Sequence, residues 1–213
     1  MDTLHKGIVL VGYSGHSFVV ADILTQLGYR IEGYVDKEPA QNNPFSIPYL
    51  GFEGNETVIE KIRGLLVFPS IGDNKIREKV FEQLISLGFS IPNAISPRAN
   101  VSSYSKVEEG ALVCQGACIN AFAKIGRGAI VNTGAIVEHE CNVGPFAHIA
   151  PGAVLAGSVR IGEGSFVGAN STIKQGVEIG RNLIIGAGSV VINNIADSGI
   201  YAGNPARKIK ILI

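Results

Sequence analysis

From Ile95 onward an aliphatic residue returns every six positions: Val101, Val107, Val113, Ile119, Ile125, Val131, Val137, Val143, Ile149, Leu155, Ile161, Val167, Ile173, Ile179, Ile185 and Val191. The series never slips. Two positions before each of these the residue is nearly always small, as at Ala111, Ala117, Ala135, Cys141, Ser165 and Ser189. A period of six matches neither the helical repeat nor strict strand alternation. It predicts a coil of short strands, each aliphatic pointing to the axis and each turn pairing its backbone with the next. With three hexads to a triangular coil, the seventeen aliphatics fill between five and six coils stacked about 4.8 Å apart. Glycines fall just after the aliphatic, as at Gly126 and Gly162, or two residues beyond that, as at Gly134 and Gly176. Those places demand either positive φ or a close backbone approach.

The first ninety or so residues lack this period and alternate strand with helix. Ile8 to Val11 reads as a strand, followed by the turn Gly12-Tyr13-Ser14-Gly15-His16-Ser17 and a helix with Val20, Ile23, Leu24 and Leu27 on one face, ending at Gly28. Ile31 to Val35 is a second strand, stopping at Asp36. After a loop with Asn42, Asn43, Pro44 and Pro48, Leu65 to Phe68 gives a third. Gly72-Asp73-Asn74 then opens a helix with Ile76, Val80, Leu84 and Leu87 on a shared face. The expected fold class is therefore an α/β Rossmann-like lobe over 1–92, a parallel β-helix over 93–199 and a tail over 200–213 that caps the helix or crosses to a neighbour. In such a lobe ligands bind beyond the carboxyl ends of the strands. That places Ser14, Gly15, His16, Asp36 and the Gly72 loop around one crevice, with a nucleotide as its natural occupant. The glycines do not complete a GxGxxG, so the dinucleotide reading is weak and a tight turn needing glycine competes with it.

Lys and Arg total 18 against 18 Asp and Glu, scattered along 213 residues, which removes the electrostatic footprint of a nucleic-acid or anionic-membrane partner. The apolar run near the start is too short for a secretory leader or a membrane span, so a cytoplasmic protein without membrane insertion is expected. The three cysteines Cys114, Cys118 and Cys141 contain no CxxC and leave an odd count, which fits reduced thiols. Cys141 holds a small-residue position of the repeat and is expected to pack. No metal is expected. A prism with flat walls and open ends must be covered against edge pairing, and closed symmetry makes a homotrimer the simplest cover.

Candidate chemistry lies in Glu138-His139-Glu140 and at His148, both outside the core series and expected to face outward. An imidazole beside a carboxylate can accept a proton near neutral pH. Adjacent residues on a flat strand point to opposite faces, so contact between His139 and either glutamate requires a bend, a bulge or a neighbouring subunit. Taken alone, the two histidines could equally be surface residues on a solvated wall. A three-histidine zinc site of the kind trimeric prisms can hold fails, because no third prism histidine exists.

The Gly-Tyr-Ser-Gly-His turn, the Ile-Gly-Asp-Asn-Lys-Ile-Arg segment, the Asn132 to Cys141 stretch with His148 following, and the terminal Gly-Asn-Pro-Ala-Arg together carry a resemblance over nearly the whole chain. They resemble the sialic acid O-acetyltransferase type of left-handed β-helix acyltransferases, and within them the bacterial UDP-4-amino-sugar (bacillosamine) N-acetyltransferases. The resemblance implies a homotrimer that moves acetyl from acetyl-CoA to the amine of a nucleotide-linked, UDP-type 4-amino-4,6-dideoxy sugar by direct attack. His139 would be the general base, Glu140 would raise its basicity, and His148 would hold the acetyl end of the coenzyme. The pantetheine arm would pass Gly157, Ala169 and Ala187, and the nucleotide would meet Ser14, Gly15, His16, Asp36, Lys37 and Gly72. The site would be completed by a neighbouring subunit. Lys37, Ser17 and Ala187 depart from the expected pattern, which touches the choice of base or sugar more than the reaction class. O-acetylation of a sialic acid is the rival within enzymes, and a non-catalytic scaffold is the rival outside them.

Overall fold

The computed structural model describes residues 7–210, so the expectations resting on the first six residues lie outside it. The chain divides into two compact units between Pro97 and Arg98.

In the first unit β1 (Gly7–Val11) is followed by α1 (Gly15–Gln26), β2 (Arg30–Val35), β3 (Tyr49–Gly51), α2 (Glu56–Ile62), β4 (Leu66–Pro69) and α3 (Asn74–Ser86). The sheet order is β3-β2-β1-β4, and every pairing is parallel. β1 is central and apolar, with Ile8, Val9, Leu10 and Val11 buried, as a strand covered on both faces must be. The expectation of three strands is corrected here, because β3 and α2 occupy what reads as loop. β3 is a three-residue edge strand, too short to show alternation. α2 starts at Asn55, whose side-chain oxygen accepts the Thr57 N–H at 2.9 Å, and it buries Val58, Ile59 and Ile62. In α3 the shared face is also corrected. Ile76 is 55% exposed, whereas Arg77 is buried with Val80, Phe81 and Leu84.

The second unit is the prism. Each of its strands from Asn100–Val101 to Val190–Val191 is two residues long, and the second residue is the hexad aliphatic. Pairing joins positions eighteen apart, as in Lys124 with Asn142, Ile130 with His148 and Ile136 with Val154, so three hexads make one coil. Aliphatics from Val113 to Val191 are buried, while Val101 and Val107 in the first coil are half-buried. Each buried aliphatic contributes about 1.5–3 kcal/mol. The small positions from Ala111 to Ser189 are buried as well, and where they are serines they are satisfied. Ser165 Oγ donates to the Gly180 carbonyl at 2.7 Å and accepts the Leu183 N–H at 2.9 Å. The two glycine classes differ physically. Gly176 sits at φ +70°, whereas a Cβ on Gly162 would lie 2.5 Å from Gly180 of the next coil. The tail does not hang loose. Ile200–Gly203 pairs parallel with Ile184–Ile185 and turns back as a hairpin with Ala206–Lys210, adding strands to one prism face.

Burial pushes the Cys114 thiol up to about 12 and the Cys141 thiol up to about 11. Cys141 Sγ rests 3.1 Å from the Ala156 carbonyl, in keeping with a packing role.

Candidate active site

Strand Ile136–Val137 leads into the corner that carries the candidate chemistry. The backbone stays paired through it, with Glu138 N–H donating to the Leu155 carbonyl at 3.0 Å and Glu140 N–H to Ala121 at 3.1 Å. Between them the chain bends, because Glu140 adopts φ +59°. That left-handed conformation costs an L-residue about 1–2 kcal/mol. Its result is the contact that a flat strand forbids: Glu140 Oε2 lies 3.1 Å from His139 Nδ1. Ser158 Oγ, one coil on, stands 3.4 Å from the same oxygen. Glu138 turns away and accepts from Asn120 Nδ2 at 2.9 Å. The partner of His139 is therefore Glu140, and the device is a bend within one chain.

Both side chains of the pair are more than half exposed, so the ion pair itself adds little stability. Its effect is orientation. With Nδ1–H given to the carboxylate, the lone pair sits on Nε2. The ring lies over Gly157, where an added Cβ would come within 2.5 Å of Cε1 and 2.6 Å of Nε2. Glycine at 157 is thus what allows the imidazole its place.

His148 precedes the core aliphatic Ile149 in its strand, and it is not solvated. Its residue is 7% exposed, in a ladder with Ile130 before it and Phe166 after it. The Phe166 ring meets it edge-on at 5.0 Å, and Asn132 Nδ2 stands 3.0 Å from its Nε2. Ala169 and Ala187 follow strands Phe166–Val167 and Ile184–Ile185, on a different prism edge from His139 and Gly157. Within one chain the three expected coenzyme contacts Gly157, Ala169 and Ala187 do not line one edge.

In the first unit the expected crevice residues gather at the carboxyl ends of β1, β2 and β4. Ser14 and Gly15 are exposed at the start of α1, and Ser17 Oγ accepts the Ser14 N–H, so the serine that departs from the expected pattern caps the turn. Asp36 accepts from the Tyr13 N–H at 2.8 Å and the Lys37 N–H at 2.7 Å, tying the β1–α1 turn to the end of β2. The Lys37 side chain is exposed. Gly72 faces His16, whose ring carbon would lie 3.6 Å from an added Cβ. Burial, with the nearby Arg77 charge, lowers the His16 pKa to about 4, so this imidazole is neutral near pH 7.

Arg77 ends the Ile-Gly-Asp-Asn-Lys-Ile-Arg segment, and its role here is not legible in the sequence. Its guanidinium donates to the Ile71 and Gly72 carbonyls, each at 3.1 Å, and to Asn74 Oδ1 at 2.9 Å, fixing the loop that presents Gly72. Asn120 and Ser158 were missed likewise. Their signal was available, since each stands eighteen residues from a member of the Glu138–Glu140 cluster. Among the described residues no group of three or more His, Cys, Asp or Glu could hold a metal ion. Among them no helix is long and apolar enough to cross a membrane.

Residues 7–84 match the PglD N-terminal domain family, and residues 158–193 match the bacterial transferase hexapeptide family of six repeats. PerB from Caulobacter crescentus, solved in complex with CoA and GDP-perosamine, is 38% identical over 96% of this chain and 97% of its own, with a TM-score of 0.90. A histidine-to-alanine variant described as GDP-perosamine N-acetyl transferase from the same organism, with the same two ligands, is 37% identical over the same shares at the same TM-score. The acetyltransferase domain of PglB from Neisseria gonorrhoeae, in complex with acetyl coenzyme A, is 32% identical over 96% of this chain and 100% of its own, with a TM-score of 0.89. A lobe of the PglD type, an unbroken hexad prism and 32–38% identity to coenzyme-bound relatives over nearly the full length lead to one assignment: the chain belongs to the left-handed β-helix sugar acetyltransferases with a PglD N-terminal domain, and it is an acyltransferase.

Proposed function

We propose that the protein acetylates the amine of a nucleotide-linked 4-amino-4,6-dideoxy sugar, taking the acetyl group from acetyl-CoA, with His139 as general base. The observation that carries this reading is the His139–Glu140 contact, 3.1 Å long and made possible by the left-handed bend at Glu140. A base that serves an attacking amine needs its lone pair on a fixed, accessible atom, with a carboxylate behind it to stabilise the imidazolium. Nε2 of His139 answers that description. The amine nitrogen attacks the thioester carbonyl carbon as Nε2 takes its proton. Collapse of the tetrahedral intermediate breaks the carbon–sulfur bond, and the CoA thiolate leaves and is protonated from the imidazolium. No acyl-enzyme is needed, and Cys114 and Cys141 are buried with raised pKa values, unsuited to act as nucleophiles.

His148, Gly157, Ala169 and Ala187 belong to the coenzyme's path in this reading, and Ser14, Gly15, His16, Asp36, Lys37 and Gly72 to the nucleotide's. Gly157 and the two alanines stand on different prism edges, so one groove touching all three needs edges from adjacent prisms. That requirement favours a homotrimer, whose packing would also cover the prism walls. Free thiols and use of acetyl-CoA suit a cytoplasmic enzyme.

Uracil is the base expected from the resemblance, while the relative solved with GDP-perosamine brings guanine into contention. A panel of UDP- and GDP-linked 4-amino sugars and free sialic acids, with released CoA thiol as readout, tests the reading. Turnover of an amino-sugar nucleotide is expected. Turnover of free sialic acids alone would replace it with O-acetylation.

A further inference from the structure

The prism edge that carries Glu140 has an aromatic pair immediately before it. Positions 104, 122, 140 and 158 are successive members of one column, eighteen residues apart. The residue before Phe122, Ala121, accepts the Glu140 N–H at 3.1 Å, which seats Phe122 one coil, about 4.8 Å, from Glu140. Tyr104 and Phe122 face each other with ring centroids 5.8 Å apart. They are 72% and 63% exposed, the two most exposed aromatic side chains among the described residues.

Phe122 also sits at φ +64°, a conformation that bulky residues avoid. Gly176, two coils beyond Glu140 in the same column, shows what folding alone would favour there. Phe146 makes the same backbone excursion at φ +55°, but it is buried, with the Arg127 guanidinium 5.5 Å above its ring. Phe122 gains no such packing within the described chain. A solvent-facing aromatic held at positive φ beside His139 points to a benefit gained from something bound there.

We propose that Phe122 and Tyr104 form a wall against which the apolar face of the acceptor sugar stacks, and so help to decide which sugar is accepted. The inference rests on the acetyl-transfer reading above. An amine that reaches His139 must come within about 2.6–3.2 Å of its nitrogen, which keeps the sugar ring within a coil spacing of that corner. On the Gly157 side of His139 lies the coenzyme's expected path and no side chain to stack on. On the other side lies Phe122. The adenine of CoA, at the far end of a long molecule from the thioester, does not compete for this place.

The test is Phe122→Gly, with Phe122→Tyr as the conservative control. It uses the full chain and the amino-sugar nucleotide that the unaltered protein turns over best. Loss of one partly buried ring predicts a rise of about tenfold in KM for that nucleotide sugar. Acetyl-CoA affinity by calorimetry should be unchanged, and Phe122→Tyr should restore KM to within about twofold of the unaltered protein. Glycine is at ease at this φ, so Tm should hold or rise, and a misfolded variant is not the expected confusion. An unchanged KM in Phe122→Gly overturns the inference while leaving the acetyl-transfer reading standing. A changed sedimentation coefficient with both substrates affected alike also overturns it, assigning the pair to subunit packing. Absence of amino-sugar turnover by the unaltered protein removes the reading beneath it as well.

Discussion

Gly157→Ala is the sharpest perturbation of the site. A Cβ there would lie 2.5 Å from His139 Cε1 and 2.6 Å from Nε2, against about 3.5–4.0 Å for an ordinary carbon contact. The imidazole must retreat by about 1 Å. Because its side chain is half exposed, it can do so without disturbing the prism core, so stability should change by less than about 1 kcal/mol. Catalysis is less forgiving, since a displacement of about 1 Å at a catalytic group can cost about a hundredfold. The assay is single-turnover thiol release from acetyl-CoA with saturating amino-sugar nucleotide, alongside thermal unfolding. A fall in rate of about a hundredfold at nearly constant Tm is expected. Full activity in Gly157→Ala would refute the claim that the glycine sets the position of the base.

Other outcomes follow from the same geometry. Arg77→Met removes donors from two part-buried loop carbonyls, so it should lower the unfolding free energy by about 1–3 kcal/mol. A shifted urea midpoint at unchanged m-value would show this, and a midpoint within error of the unaltered protein would discard the clamp. His16 titrates at about 4 in the fold against 6.5 ordinarily, so as pH falls the unfolded chain takes the proton first. Its contribution to stability is complete above about 6.5 and is lost between there and about 4. In His16→Gln, urea midpoints measured at pH 7 and pH 4.5 should differ less than in the unaltered protein, and an identical difference would count against the neutral imidazole. Glu140→Gln keeps the bend but removes the carboxylate charge behind His139. The imidazole then loses the partner that orients it, so kcat should fall about tenfold or more while acetyl-CoA affinity by calorimetry holds. An unchanged kcat would mean that Glu140 only fills space.

The prism was legible because its information is periodic and local. One aliphatic per six residues and a small residue two places before it decide which way each strand faces, and nothing distant overrides them. β3 and α2 were not legible. Tyr49–Gly51 is a strand only because β2 lies beside it, and two turns of helix over Glu56–Ile62 carry too short a pattern to stand out from loop. Ile76 and Arg77 traded places for a related reason. Hydropathy assigns the isoleucine inward, but the guanidinium is needed inside to satisfy two carbonyls of the preceding loop and the Asn74 side-chain oxygen at the start of α3. In the candidate site the residue types were readable and their contacts were not. The choice between Glu138 and Glu140 depends on one left-handed backbone position, and the burial of His148 on what lies beside it in the ladder.

Acetyl transfer at this corner, with His139 as its base, is the proposal on which the other predictions depend. It is tested most directly by comparing His139→Ala with the unaltered protein for CoA release in the presence of the best amino-sugar nucleotide, while acetyl-CoA binding is followed by calorimetry. A rate reduced by about 10²–10⁴-fold with coenzyme affinity retained is expected. Turnover within a few-fold of the unaltered rate would contradict it.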